Sequence, residues 1–384
     1  MNPPNAPSPP EHASLERTVR GLFLAGWDGY ELSPQVHQLL QDGLRGVVLF
    51  ARNIDTPQQT ADLCAAIHHA HGPGSLIAID QEGGRVARLR DGYFVPPPMA
   101  TLGRAATAEQ LHDLGRLLGL QLKALGIHLN FTPVLDVDTN LDNPVIGDRA
   151  FSADPQRVAE CGIALALGMQ SVGVAACGKH FPGHGDTHQD SHLTLPRLPH
   201  DRARLEQVEL PPFQHAIDQG IASIMTAHIV FEALNPSPTD NTPATLSPEV
   251  MTGLLRQEMG FDGVVISDDL EMKAIADHAP IEDTAVQAVD AGVDLMLVCH
   301  HPELVTRAVK AIMEAVQSGR LSEDKVHAAH QRIEQLATQY RPGLTDAETR
   351  ERDAWERAKL ETRLAALLSE DHGDLADPTN RPSV

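Results

Sequence analysis

Eight short apolar runs, separated for the most part by amphipathic helical patterns, constrain the fold of this chain more than any other feature. The runs lie at residues 21–25, 46–50, 76–79, 128–131, 174–177, 223–225, 263–266 and 295–298. Helical patterns cover 57–71, 108–125, 154–172, 201–219, 247–259, 281–291 and 302–318, several opening on a cap residue such as Ser247 and closing near a glycine such as Gly126 or Gly260. Buried parallel strands read as continuous apolar runs, and their alternation with helices implies right-handed βαβ units. The expected fold is α/β, a single-domain TIM-type (β/α)8 barrel. An open doubly wound sheet would show a Gly-x-Gly-x-x-Gly loop after an early strand, and the chain has none.

A barrel of this kind needs about 250 residues, and the chain has 384. The organisation expected is a Pro-rich disordered tail over 1–12, the barrel over 13–340, and a charged helical extension and tail over 341–384. A formal charge of −22 excludes nucleic acid and anionic membrane as natural partners, because an acidic surface repels phosphate. No run approaches a membrane span, and residues 1–12 carry no basic segment followed by an apolar one, so neither a membrane anchor nor a signal peptide is expected. Cys64, Cys161, Cys177 and Cys299 lie far apart in mostly apolar or helical contexts, as small buried groups of a reducing cytoplasm would.

Residues 179–192 read Lys-His-Phe-Pro-Gly-His-Gly-Asp-Thr-His-Gln-Asp-Ser-His directly after the fifth run. His180, His184, His188 and His192 recur every fourth residue, a spacing that would line one face of a helix as zinc ligands do. Pro182, Gly183 and Gly185 break that helix, so the segment reads as a loop at a strand end, and acid/base or substrate-binding work is favoured over metal binding. Comparable polar clusters follow other runs: Asp80 to Arg88, then Asn130, Asp136 and Asp138 with Asp148 and Arg149 further on, then Thr226 to His228, Ser267 to Met272, and Cys299 to His301. The C-terminal ends of barrel strands are where such folds carry their active sites.

Taken together, the stretches at 80–88, 130–138, 146–151, 179–192 and 267–272 resemble family 3 glycoside hydrolases, and within them the β-N-acetylglucosaminidase branch, in order from about residue 21 to 318. The resemblance implies a retaining enzyme that removes terminal non-reducing β-linked N-acetylglucosamine, with small carbohydrate substrates drawn from recycled cell-wall fragments (muropeptides containing N-acetylglucosamine joined to 1,6-anhydro-N-acetylmuramic acid), and no cofactor or metal. It assigns the nucleophile to Asp268, the general acid/base to His192 and the orienting carboxylate to Asp190. A histidine suits proton exchange near neutral pH, and a neighbouring carboxylate steadies its charged form. Asp80, Arg88, Arg149, Lys179 and His180 match positions that hold the sugar, and hydroxyl-rich ligands need such paired donors and acceptors. His228 is expected at the pocket floor or against a neighbouring carboxylate. Arg85 is expected to be structural, pairing with Glu82, while His184 and His188 are candidates for surface histidines. Gly183 and Gly185 suggest a mobile loop that carries His192 into place. No α/β sandwich domain of the kind that larger members carry is expected, a monomer is the favoured state, and the charged stretch 344–369 is expected as a solvated helix packed on the barrel.

Overall fold

The strands form where the apolar runs lie. The computed structural model describes residues 11–72, 74–188, 195–235, 237, 241–340 and 347–369. Eight parallel strands close in chain order: β1 (Phe23–Ala25), β2 (Gly46–Leu49), β3 (Leu76–Ile79), β4 (Leu129–Asn130), β5 (Ala175–Phe181), β6 (Ser223–Thr226), β7 (Val264–Asp269) and β8 (Leu295–Val298). Phe23 opposite Met296 and Ala25 opposite Val298 join β8 back to β1. This is the expected (β/α)8 barrel. Val47, Leu49, Ile77, Ile79, Val265 and Leu297 are all buried, since helices cover the outside and side chains fill the inside.

Register shifts interrupt β5 between Gly178 and Phe181, and β7 between Ile266 and Asp269. Both lie at the C-terminal ends of their strands. A shift of this kind re-aims the side chains around it, here Lys179, His180 and Asp268.

Helix starts follow the local chemistry. Thr107 and Gln110 form a capping box at the head of Ala108–Leu125, and Gly126 ends that helix with φ +80°. Several helices lie outside the expected set. Pro34–Asp42 fills the β1–β2 connection, opened by Ser33 and Pro34 and closed by Gly43, and Glu323–Gln339 follows the last barrel helix. The pattern over 201–219 is not one uniform helix, because Leu205–Glu209 winds as wider π-type turns ahead of Pro211 and Pro212, which lack the amides an α-helix would use.

A helix already begins at Glu11, inside the expected tail, and residues 1–10 lie outside those described. Beyond the barrel, Ala347–Ser369 runs along Ala108–Leu125. Leu360, Leu364 and Leu367, spaced one helical face apart, are buried there. Ion pairs cross the seam from Arg116 to Glu356, Lys123 to Asp353 and Arg363 to Asp113. Among the described residues no helix is long and apolar enough to cross a membrane.

Helices Ala108–Leu125 and Pro155–Ser171 meet through glycines. A Cβ on Gly115 would sit 2.1 Å from the Leu165 carbonyl oxygen, and one on Gly168 would sit 2.1 Å from that of His112. Helix propensity alone predicts that Gly168→Ala stabilises by about 1 kcal/mol. Forcing backbones apart in a packed seam costs about 1–3 kcal/mol. Packing should win, so Gly168→Ala and Gly115→Ala should each lower the denaturant midpoint, and a raised midpoint would refute the close approach.

Candidate active site

The polar residues that follow β3 are shaped by a hairpin. Gln81–Gly83 pairs antiparallel with Val86–Ala87, and Gly83 and Gly84 take φ +119° and +52° in the turn, which side chains disfavour. Asn130, at the end of β4, locks this hairpin by accepting the Gln81 amide at 2.9 Å and donating to the Gln81 carbonyl at 3.0 Å. The Gln81 side chain accepts the amides of Arg88 and Leu89. Asn130 is therefore part of the scaffold.

The hairpin delivers two carboxylates to one lysine. Lys179 Nζ lies 2.7 Å from Asp80 Oδ1 and 2.5 Å from Glu82 Oε1. Arg149 grips the same Glu82 with two parallel bonds, Nε to Oε2 and Nη2 to Oε1, each 2.8 Å. Lys179 and Glu82 are almost fully buried. Burial opposes the charge on Glu82, but Arg149 and Lys179 outweigh it and hold the carboxyl well below its usual range. Burial likewise opposes the Lys179 charge, and Asp80 and Glu82 reverse the effect. Arg88 Nη2 is 3.5 Å from Asp80 Oδ2, and its buried Nε has no acceptor among the described residues. Arg85 does not pair with Glu82, contrary to the expectation. It reaches Asp148 Oδ1 at 2.8 Å and the carbonyls of Val145 and Ile146, because Arg149 already fills Glu82.

Next to Lys179, Asp136 organises the histidine segment. Its Oδ2 is 2.7 Å from His180 Nδ1, and its Oδ1 accepts the amides of His180 at 3.1 Å and His184 at 2.7 Å. Asp136 is fully buried; burial opposes its charge, but His180 and His184 bring its pKa below the usual value. His184 is buried, not a surface residue, with Nδ1 2.8 Å from Thr187 Oγ1, and burial followed by the His180 charge lowers it to about 4. His188 is exposed and meets Asn140. The glycines serve packing. Gly185 is buried, and a Cβ there would lie 1.8 Å from the Val137 carbonyl oxygen, so contact with the β4 loop requires a glycine. Asp186 and His200 meet at 2.6 Å across the two sides of segment 189–194. Asp190 and His192 fall in that segment, outside the described residues.

At the end of β7 the acids divide their work. Asp269 Oδ1 accepts the amides of Glu271 at 3.1 Å and Cys299 at 3.2 Å. Glu271 Oε2 accepts those of His300 at 2.6 Å and His301 at 3.2 Å. Burial, then the charges of Glu271 and Asp268, push the Asp269 carboxyl up to about 7. Asp268 is partly exposed and accepts the Asp269 amide at 2.8 Å. Burial pushes the Cys177 thiol up to about 12, and β3, β5 and β7 all end at the same C-terminal mouth of the barrel. His228 does not present a free pocket floor. Its Nδ1 meets Thr245 Oγ1 at 2.8 Å and its Nε2 meets the Asp269 carbonyl at 3.0 Å.

The structure thus brings Asp80, Arg88, Arg149, Lys179 and His180 together with Asp268 at the C-terminal mouth. Sequence reasoning missed Glu82 and Asp136 as the residues that organise this cluster. Their positions beside strand-end motifs were visible, but their partners lie 67 and 44 residues away. Among the described residues, no three His, Cys, Asp or Glu side chains converge as a metal site requires.

Known proteins share this arrangement of the chain. The model of the glycosyl hydrolase family 3 N-terminal domain matches residues 30–336. A beta-hexosaminidase of Nitrosomonas eutropha is 41% identical over 312 residues, covering 79% of this chain and 86% of that protein. A family 3 beta-N-acetylglucosaminidase from Paenibacillus sp. superposes with a TM-score of 0.83 at 41% identity, over 90% of this chain and 68% of that one. NagZ from Neisseria gonorrhoeae superposes with a TM-score of 0.68 at 34% identity, over 83% of this chain and 98% of that one.

Two expected outcomes follow from the geometry. Arg149→Ala leaves Glu82 with half its countercharge, and breaking a buried pair costs about 3–5 kcal/mol. Unfolding should therefore register the loss even without substrate; an unchanged midpoint would show that the fold does not depend on the pair. The second concerns acid. His184 has a folded pKa of about 4, below its ordinary 6.5, so its stabilising contribution is complete above pH 6.5 and is lost as pH falls toward 4. The loss is on the order of 3 kcal/mol. His184→Gln should flatten that part of the stability–pH curve measured by denaturant titration, and a curve with the parent's slope would refute it.

Proposed function

The chain belongs to glycosyl hydrolase family 3, and from that premise we propose that it removes terminal non-reducing β-linked N-acetylglucosamine with retention of configuration. The chain is a glycoside hydrolase of the beta-hexosaminidase type, the name its relatives at about 40% identity carry. The observation that carries the finer reading is the division of acids at β7. Asp269 and Glu271 accept amides at the β8 end, while Asp268 accepts the amide of its neighbour Asp269 at the mouth where β3 and β5 also end.

In this reading Asp268 attacks the anomeric carbon as the bond to the leaving oxygen breaks, and His192 gives that oxygen its proton. A water then attacks the same carbon, loses a proton to His192, and frees Asp268. Asp190 orients the imidazole. Asp80, Lys179, Arg88 and His180 bind the sugar hydroxyls and amide, with the buried Arg88 Nε a donor that a ligand oxygen would satisfy. Arg149 acts on the sugar through Glu82 and Lys179. The crystal structure of the Neisseria gonorrhoeae NagZ in complex with N-trifluoroacetyl-D-glucosamine supports a sugar of this class. Cell-wall fragments of N-acetylglucosamine and 1,6-anhydro-N-acetylmuramic acid, met in the cytoplasm, are the substrates we assign.

An aryl β-N-acetylglucosaminide with the matching glucoside as control tests the specificity: turnover of the first alone is expected, and equal turnover of both would refute it. Asp268→Ala should lose several powers of ten in kcat while staying folded. An inactive Asp269→Ala beside an active Asp268→Ala would move the nucleophile. His192→Ala should suffer most with a sugar leaving group and far less with an activated aryl group that departs without a proton. If the variant and its parent respond identically to the leaving group, His192 is not the acid.

A further inference from the structure

The backbone ladder between β6 and β7 pairs Ser223 with Val264, Ile224 with Val265 and Met225 with Ile266, and runs no further. Asp268 lies just past its end, inside the register shift of β7. On the β8 side, side chains replace the missing rungs: Ser267 Oγ accepts the Leu297 amide at 3.0 Å, and Asp269 Oδ1 accepts that of Cys299. On the β6 side, the corresponding link is His228, whose Nε2 lies 3.0 Å from the Asp269 carbonyl oxygen.

A carbonyl only accepts, so Nε2 carries the proton, while Nδ1 lies 2.8 Å from Thr245 Oγ1, whose hydroxyl also faces the Ala227 carbonyl at 3.1 Å. Thr245 Oγ1 in turn lies 2.8 Å from Thr226 Oγ1. Thr226, Thr245 and His228 are all buried. The contacts therefore link the last residue of β6 to the carbonyl of the residue that follows the nucleophile, and that carbonyl requires the imidazole proton on Nε2.

We propose that His228, set by Thr245 and Thr226, is a positioning residue that aims the Asp268 carboxylate by holding the Asp269 carbonyl; this rests on the assignment of Asp268 as nucleophile. His228 acts through the Asp269 carbonyl that it holds. Its effect falls on the direction of attack, where a displacement of about 1 Å costs on the order of 100-fold in rate. Sugar binding, which belongs to the Asp80–Lys179 cluster, is left alone.

The test uses the full chain and four measurements: kcat and KM on an aryl β-N-acetylglucosaminide, the rate of covalent labelling of Asp268 by a fluorinated N-acetylglucosamine-type inactivator followed by mass spectrometry, and the unfolding midpoint. His228→Leu should lower kcat and the labelling rate by about 100-fold with KM within about threefold of the parent. His228→Gln places an amide donor near the position of Nε2 and should recover to within about tenfold of the parent. Thr245→Val, which keeps the volume but frees Nδ1, should fall between them and remains informative where His228→Leu does not fold. Parent-like labelling in His228→Leu, no recovery in His228→Gln, or a raised KM with kcat intact overturns the proposal. A parent that is inactive and unlabelled at Asp268 overturns the proposed reaction itself, whereas an active, labelled parent with an indifferent Leu variant overturns this inference alone.

Discussion

Four charges withdrawn from water at the mouth of the barrel set the conditions for everything around them. Lys179 and Glu82 are nearly inaccessible, and Asp80 and Arg149 close the circuit on either side. Removing an ion from water costs several kcal/mol, recovered only when its partners are present with good geometry. The four come from three parts of the chain: Asp80 and Glu82 from the end of β3 and its hairpin, Arg149 from the turn at Gly147–Arg149, and Lys179 from β5. Those segments are therefore obliged to meet, and the Asn130–Gln81 lock and the Gly83–Gly84 turn serve that meeting.

The same economy governs the other carboxylates. Asp136, Asp269 and Glu271 each accept two backbone amides, so they hold loops and strand ends in place with groups that a neutral residue would hold less strongly. Asp268 belongs to the same run of acids as Asp269 and Glu271, is partly exposed as those two are, and accepts the amide of its neighbour Asp269. Rigid support beside an accessible carboxylate is the arrangement that preorganised chemistry requires.

The extension past the barrel follows similar physics at lower stakes. Its leucine face joins the apolar seam of the neighbouring helices, while its ion pairs lie nearer solvent, where each contributes little. The buried leucines account for its docking, and Trp355 is left exposed on the helix.

The eight strands were legible because a strand covered on both faces has to be apolar along its length, and the sequence carries that signature locally. Asp80, Lys179 and Asp268 were legible as strand-end polar residues for the same reason, and the resemblance supplied roles for them. The helix over 34–42 was missed although Ser33, Pro34 and Gly43 mark its ends, because nine residues hold too little periodicity to stand out. Arg85 and Glu82 looked like a local pair, yet Arg149 and Asp148, over sixty residues away, take one each. That Gly185 packs against the Val137 carbonyl could not be read from the sequence. By itself, then, the sequence determined the barrel, its strand order and which residues reach its mouth, since these depend on hydrophobic pattern and chain order. Only the tertiary structure decided which acid holds which stretch of backbone, and which histidine is buried, because those outcomes depend on side-chain directions and partners that meet only once the barrel has closed.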